Sequence, residues 1–119
     1  MAMEELSKQY PQRNIEGVDS LTATLGQGLL VYLASCKQKE GLTLHELMAW
    51  VQVYRYCISG WFMVDDLNHL KRGGRVSAAT AFVGTMLAIK PILKIATVGQ
   101  LIVREKVRGR QQALERLLN

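Results

Sequence analysis

The chain has 119 residues, of which 49% are hydrophobic and 21% are charged. These values lie near the averages of globular proteins, so they argue against a disordered, collagen-like or low-complexity chain, and the length suits one modest core. The net charge of +5 is uneven, because residues 1–70 carry five Lys/Arg against eight acidic residues and residues 71–119 carry ten against two.

The N-terminal segment predicts one frayed helix and one short strand. Met1 to Tyr10 is predicted as a helix that Pro11 closes. Asn14 to Val18 is apolar at alternate positions and predicts a strand, which would carry Asp19 and Ser20 at its C-terminal end. In an open α/β sheet, ligands collect at that end of the strands.

A long amphipathic helix is predicted from Leu21 to Lys39. Gly26 and Gly28 near its start do not form a dinucleotide-binding loop, because they lie well beyond the turn after the strand and Val31 stands where a third glycine belongs. They favour close approach of another backbone or of an acyl chain. The predicted inward face contains Leu25, Leu29, Tyr32, Leu33 and Cys36.

A capping box is predicted next, with the Thr43 hydroxyl and the Glu46 carboxylate satisfying each other's backbone amides. The helix that follows ends near Cys57, and His45 in its first turn is predicted to be exposed. Ile58 to Val64 is bulky and predicts a buried strand. The apolar face of the helix consists of Leu44, Leu47, Met48, Val51 and Tyr54.

The centre of the chain predicts a short helix. Asp65 and Asp66 suit its N-terminus and Lys71 and Arg72 its C-terminus, where Gly73-Gly74 ends it. His69 lies one turn after Asp65, a spacing that is usually surface helix support.

A second helix is predicted to begin after the N-cap Ser77 and to run from Ala78 to Ala88, before Lys90-Pro91. The segment carries no charge, and small residues alternate with larger apolar ones. A helix that is apolar on all sides must be buried or must line an apolar cavity.

The C-terminal region predicts a β-hairpin and a final helix. Ile92 to Thr97 and Leu101 to Val107 are the predicted strands, joined by a turn at Val98-Gly99-Gln100. Arg108 to Leu118 is the predicted helix. Its arginines Arg108, Arg110 and Arg116 are expected to face water or a partner, and its inward residues are Ala113, Leu114, Leu117 and Leu118.

Several of these segments together resemble a known family. Leu70-Lys71-Arg72-Gly73-Gly74-Arg75, Gly84 with Ile89-Lys90-Pro91-Ile92-Leu93, and Lys106-Val107-Arg108-Gly109-Arg110 resemble the middle of the bacterial DegV family. Asp19-Ser20 and Gly26-Gln27-Gly28 resemble its preceding segment. The resemblance implies two α/β-type lobes with a long-chain fatty acid between them, in a carrier that presents the acid to a fatty acid kinase.

The predicted fold class is therefore α/β (mixed α+β), a fragment of a two-lobed fold with a parallel strand and helices followed by the hairpin and the last helix. Residues 1–57 would end the first lobe and residues 58–119 would start the second. The family's Thr-Ser-Gln-Pro-Ser and Ser-Gly-Leu-Ser-Gly motifs, which the resemblance implies hold the carboxylate, are absent from this sequence. We therefore expect this chain to bind fatty acid weakly or not at all, and we expect an uncovered apolar surface that favours a homodimer.

Site residues follow from the resemblance rather than from local chemistry. No nucleophile with a base, metal cluster or phosphate-binding loop is present in the sequence, so neither an enzyme nor a cofactor is predicted. The predicted docking residues for the kinase or an acyl-transfer partner are Arg72, Arg75, Arg108 and Arg110. The predicted residues lining the acyl chain are Thr24, Gly26, Gly28, Phe82, Gly84, Met86, Leu87 and Ile92.

The alternative is a basic module that binds nucleic acid or another anionic partner. Such binding should weaken steeply with salt, whereas burial of an acyl chain should not. No aromatic residue is interleaved with the basic ones and no helix-turn-helix pattern is present. The basic residues concerned are Lys71, Arg72, Arg75, Arg104, Lys106, Arg108 and Arg110.

Cysteine usage and hydropathy predict a cytoplasmic protein. Cys36 and Cys57 lie far apart, without a C-x-x-C motif, and are predicted to be buried thiols in a reducing compartment. The N-terminus lacks the pattern of a secretion signal. The longest uncharged apolar run, Val76 to Ile89, is too short to cross a bilayer.

Overall fold

The structure, a computed structural model, describes residues 2–76 and 88–118. The chain divides into a helical unit, Met1–Ile58, and a sheet unit, Ser59–Asn119. The helical unit contains α1 (Ala2–Gln9), α2 (Thr24–Lys39), α3 (Leu44–Tyr54) and a 3₁₀ turn (Arg55–Cys57). The sheet unit contains β1 (Trp61–Met63), α4 (Leu67–Arg72), β2 (Ile89–Ile95), β3 (Leu101–Arg108) and α5 (Arg110–Leu118). The predicted mixture of helices and strands is confirmed. Of the helix predicted over residues 78–88, residues 78–87 lie outside the described part.

The segment between α1 and α2 differs from the prediction. Residues 14–20 form no regular secondary structure, so the strand predicted at Asn14–Val18 is wrong. The three strands of the described residues form one antiparallel sheet, in the order β1-β2-β3, and the predicted parallel strand is not part of it. Ile15 and Val18, two of the apolar residues behind that prediction, are half-buried in this irregular segment.

Helix α2 begins at Thr24 rather than at Leu21. Leu21 and Thr24 have φ values of 53° and 52°, which are left-handed and incompatible with a helix that continues through both. The helix packs against α3, and its buried residue is Leu30. The predicted inward face is wrong in part, because Leu25 is 89% and Tyr32 64% exposed.

Helix α3 confirms the predicted capping box. The Thr43 hydroxyl accepts from the Glu46 amide at 3.4 Å, and the Glu46 carboxylate accepts from the Thr43 amide at 2.8 Å. The helix ends at Tyr54, and the 3₁₀ turn continues to Cys57. Both cysteines are unpaired, but the prediction of buried thiols is wrong, because Cys57 is exposed and Cys36 is half-buried.

Helix α4 confirms the predicted caps. The Asp66 carboxylate accepts from the Asn68 amide at 2.8 Å at the N-terminus. At the C-terminus Gly74 takes the left-handed conformation, with a φ of 71°. The amide of Arg75 then donates to the Leu70 carbonyl at 2.8 Å, which closes the turn.

The core of the sheet unit lies between α4 and one face of the sheet. Leu67 and Leu93 are 1% and 0% exposed at its centre. The strand predicted as buried, Ile58 to Val64, is shorter and lies at the sheet edge, because only Trp61 to Met63 pair with β2. Partly buried side chains complete this cluster: Phe62, Val64, Leu70, Val76, Leu101 and Val103.

The predicted hairpin is confirmed, and both strands are longer than predicted. Gly99 turns the chain with a φ of 79°, and the Ala96 amide donates to the Gln100 carbonyl at 2.8 Å. β2 begins at Ile89 and includes Pro91, which lies beyond the end of β1, where β2 is paired only with β3. Ala88, predicted as the last helical residue, has a φ of 67° and is not helical.

Helix α5 starts two residues later than predicted because Gly109 is left-handed, with a φ of 84°. Ala113 is fully buried and Leu117 is half-buried, as predicted. Leu114 and Leu118, predicted to face inward, are 40% and 88% exposed, so that part of the prediction is wrong. Half of the apolar side of α5 is uncovered by the described residues.

Candidate functional site

The turn that precedes α2 is held by polar contacts within the helical unit. The Asp19 carboxylate accepts from the Leu21 amide at 3.0 Å. Arg55 Nη1 donates to the Asp19 carbonyl at 2.7 Å, and Arg55 Nη2 donates to the Tyr56 hydroxyl at 2.9 Å. Arg55 therefore fixes the entry to α2 although it lies far along the chain, and neither its charge nor its spacing identified that role in the sequence.

Gly26 and Gly28 occupy different environments on α2. A Cβ at position 26 would stand 2.5 Å from Thr22 Oγ1 and 3.3 Å from Ile58 Cγ2, so the absent side chain permits close packing there. A Cβ at position 28 would meet no atom of the described residues within 4 Å. Gly26 has a packing role within this unit, whereas Gly28 leaves open space.

Gly28 lies in the middle of an uncovered apolar face on α2. Leu25, Gly28, Leu29 and Tyr32 follow the i, i+3, i+4, i+7 spacing that places residues on one side of a helix. Leu25 is 89%, Leu29 49% and Tyr32 64% exposed. We call these four residues the α2 face. An apolar stripe with a gap at its centre can accept an aliphatic chain or another apolar surface.

The other predicted lining residues are distributed differently. Thr24 is the first residue of α2 and is exposed, and Gly26 is half-buried at the packed side. Ile92 is 2% exposed in β2 of the sheet unit. Four predicted lining residues, Phe82, Gly84, Met86 and Leu87, lie outside the described residues.

The four predicted docking arginines are exposed in the sheet unit. Arg72 lies in the last turn of α4, where a cation complements the helix dipole. Arg75 donates to the Gly73 carbonyl. Arg108 ends β3, and Arg110 begins α5, with its Nη1 3.7 Å from Asp65 Oδ2.

Asp65 joins two elements through ion pairs that the sequence did not predict. Its Oδ1 lies 2.8 Å from the Nζ of Lys90, at the start of β2, and its Oδ2 faces Arg110. The hydrogen bond and the charge of Lys90 lower the pKa of the Asp65 carboxyl, and Arg110 adds to the effect. Among the described residues, Asp65 therefore pairs with Lys90 and Arg110 and not with His69, which lies one turn away.

The described residues contain no group of three His, Cys, Asp or Glu side chains that could hold a metal ion. His45 is exposed, as predicted. In the same part of the chain no helix combines the length and the hydropathy that a bilayer crossing needs.

Comparison with solved structures places these elements in a known fold. A fatty acid binding DegV family protein from Streptococcus agalactiae is 35% identical, with a TM-score of 0.77 over 98% of this chain and 41% of that protein. A DegV family protein from Thermus thermophilus, whose structure is described by its fatty acid binding, is 34% identical, with a TM-score of 0.74 over 96% of this chain and 40% of the other. A DegV family protein from Eubacterium eligens, loaded with heptadecanoic acid, shares the fold with a TM-score of 0.84 at 23% identity.

Sequence comparison gives the same assignment. A DegV domain-containing protein of Clostridium perfringens is 43% identical over 117 residues, which are 98% of this chain and 40% of that protein. One from Streptococcus pyogenes is 40% identical over 118 residues, or 41% of its length. The chain thus spans about 40% of the length of these curated relatives. A family model described as "Uncharacterised protein, DegV family" matches residues 1–119, and the chain belongs to the DegV family.

Proposed function

We propose that this chain is part of a long-chain fatty acid carrier and that the α2 face contributes to the wall along which the acyl chain lies. The observation that carries this proposal is the exposed apolar stripe with open space at Gly28. Two relatives of 34% and 35% identity are named for fatty acid binding. Each methylene removed from water contributes about 0.8 kcal/mol, less the cost of ordering the chain.

The remaining lining residues stay part of this proposal. A tunnel wall needs small and apolar side chains, and these residues have that character. They are Thr24, Gly26, Phe82, Gly84, Met86, Leu87 and Ile92. Residues 1–57 and 58–119 would belong to the two lobes of the carrier, and the unpaired Cys36 and Cys57 suit a reducing, cytoplasmic compartment.

The carboxylate end needs fixed hydrogen-bond donors, because a buried anion without partners is costly. The two motifs that the family resemblance implies for that role are absent from this sequence. We therefore expect the chain by itself to bind a long-chain fatty acid weakly, through the acyl portion. A titration that gave submicromolar affinity would contradict this expectation.

The test of the acyl-binding surface is photolabelling with a long-chain fatty acid that carries a diazirine near its methyl end. Peptide mass spectrometry should place the label on α2, and an excess of unlabelled acid should compete it away. The paired variant Leu25→Ser/Leu29→Ser should lose most of this label. Val53→Ser is the matched control, because Val53 is 64% exposed on α3 and outside the α2 face. Label that is spread evenly, or that survives competition, would refute the proposal.

We also propose that Arg72, Arg75, Arg108 and Arg110 dock a fatty acid kinase or an acyl-transfer partner. Their exposure and the basic balance of residues 71–119 support contact with an acidic surface. Replacing Arg72 and Arg108 by Glu should weaken binding of the carrier to the kinase, and Arg13→Glu in the helical unit is the control. Equal binding by all variants would exclude this surface.

A further inference from the structure

The turn that leads into α2 adopts a backbone conformation that its own residues disfavour. Leu21 and Thr24 have φ values of 53° and 52°, in the left-handed region that residues with a Cβ rarely occupy. Ala23 is the N-cap of α2, and it gives the helix no side-chain hydrogen bond at its start. Such a conformation persists where the surrounding structure holds it, so the restraints on this turn decide where α2 begins.

Arg55 supplies a restraint from outside this turn. The hydrogen bonds that the Leu21 amide donates to the Asp19 carboxylate and the Ser20 hydroxyl to the Thr22 carbonyl each span two residues. They shape the turn without attaching it to the rest of the helical unit. Arg55 lies 36 residues after Asp19, in the 3₁₀ turn that follows α3, and its Nη1 donates to the Asp19 carbonyl at 2.7 Å. A hydrogen bond from a guanidinium is stronger than one between neutral groups.

The Arg55 guanidinium is itself oriented by the next residue in the chain. Its Nη2 donates to the Tyr56 hydroxyl at 2.9 Å, and its central carbon lies 4.9 Å from the centroid of the Tyr56 ring, within cation–π range. A lysine could not reproduce both contacts together with the bond to Asp19, because the planar fork of fixed donors is particular to arginine. Arg55 therefore joins the end of α3 to the entry of α2 through a side chain of fixed direction.

The turn holds α2 on the side opposite to the α2 face. Gly26 and Gly28 are two residues apart, so their directions around the helix axis differ by about 200°. A Cβ at Gly26 would stand 2.5 Å from Thr22 Oγ1, in the restrained turn, and 3.3 Å from Ile58 Cγ2, just beyond the 3₁₀ turn. Leu30, one helical turn after Gly26, is 3% exposed. Because one side of the helix packs on the turn, a displacement of the turn would redirect the α2 face.

We infer that Arg55 is a positioning residue for acyl-chain binding: it holds the turn before α2 and so fixes the direction in which the α2 face points. The inference rests on the proposed function of that face and adds to it a residue from another element. Arg55 acts through the Asp19 carbonyl and not through the acyl chain. Loss of its hydrogen bond should therefore reduce acyl-chain binding more than an equal loss of stability elsewhere in the helical unit.

The first experiment measures, in variants that are folded by circular dichroism, the diazirine label on α2 that unlabelled acid competes away. Arg55→Met should lower this label about ten-fold, the effect expected when one hydrogen bond from a charged group is lost. Arg55→Lys keeps the charge and one donor group, so its label should be intermediate. Arg13→Met, at an exposed arginine of the same unit, should label as the parent does. Thr43→Ala, which weakens the cap of α3, should also label normally and separates positioning from loss of stability.

The second experiment is hydrogen exchange with mass spectrometry in the absence of fatty acid. In Arg55→Met the peptide that covers residues 19–28 should exchange about ten-fold faster than in the parent, while the peptide that covers α3 should be unchanged. If Arg55→Met does not fold, Arg55→Lys carries the same comparison.

The outcomes separate this inference from the proposed function. A parent chain without competed label on α2 would remove the proposed function and this inference with it. A labelled parent whose Arg55→Met variant labels equally would overturn this inference alone, and so would unchanged exchange at residues 19–28. An equal loss of label in Thr43→Ala would also overturn it, since Arg55 would then contribute only stability.

Discussion

Two glycines on α2, two residues apart, have opposite relations to their surroundings. Gly26 lies against Thr22 and Ile58, whereas Gly28 faces open space. Each glycine destabilises the helix by about 1 kcal/mol relative to alanine, because glycine loses more conformational entropy on folding. The difference between them is therefore one of packing alone.

We predict that Gly28→Ala raises the free energy of unfolding by about 0.5 to 1 kcal/mol, because it improves helix propensity without meeting another atom. Gly26→Ala should lower it by about 1 kcal/mol, because the new Cβ must displace Thr22 and Ile58 and overpacking outweighs the propensity gain. Urea unfolding of the two variants checks the signs. A Gly26→Ala variant as stable as Gly28→Ala would show that the contact at Thr22 is not tight.

Asp65 predicts a specific dependence of stability on pH. The pKa of the Asp65 carboxyl is lowered in the folded chain by Lys90 first and Arg110 second. The ion pairs therefore stabilise the folded chain fully above the ordinary carboxyl pKa of about 3.9, and this stabilisation is lost as pH falls below that value. Asp65→Asn should lower the urea midpoint at pH 7 and should match the parent near pH 2. Glu16→Gln, at an exposed acid in the helical unit, is the control. An Asp65→Asn deficit that is equally large at both pH values would argue against the ion pairs.

At the scale of elements, helix ends are set by local chemistry and helix faces by what surrounds them. The ends of α3 and α4 follow from the Thr43 cap, the Asp66 cap and the left-handed Gly74. The face of α2 does not follow from its apolar spacing, since Leu25 and Tyr32 are exposed while Leu30 is buried. Periodicity identifies an apolar stripe, but it does not say what covers the stripe.

We predict that Thr43→Ala lowers the free energy of unfolding by about 1 kcal/mol, because the Glu46 amide loses its acceptor at the helix start. The pKa of Glu46 is lowered by the Thr43 hydroxyl first and by the Thr43 backbone amide second. In the alanine variant it should move back toward its ordinary value. Thr43→Ser keeps the hydroxyl and should change neither quantity, and NMR titration with urea unfolding measures both. An unchanged Glu46 pKa in Thr43→Ala would show that the side-chain bond is not formed.

At the scale of the whole molecule, we predict that the chain forms a homodimer through the apolar side chains that are exposed on α2. Sedimentation velocity at increasing concentration should detect self-association, and Leu25→Ser/Leu29→Ser should suppress it. A parent chain that stays monomeric at high concentration would contradict the prediction. Long-chain fatty acid should reduce the association if both occupy the same α2 face.

The sequence alone determined the local features: the capping box at Thr43, the glycine end of α4, the hairpin turn at Gly99 and the family to which the chain belongs. Each depends on neighbouring residues or on a spacing that is visible in one dimension. The sequence also predicted a strand at Asn14–Val18, which does not form. A pattern of apolar residues indicates partial burial, but it does not show that a neighbouring strand is available for pairing.

Only the tertiary structure decided which residues meet across long stretches of chain. Arg55 with the Asp19 carbonyl, Asp65 with Lys90, and Trp61 with Lys94 across the first two strands all join residues that are distant in sequence. The physical reason is that such pairs depend on strand register and on loop paths, for which no local propensity exists. Gly26 and Gly28 are the same residue type two positions apart, and only the tertiary structure showed that one is closely packed and the other faces open space.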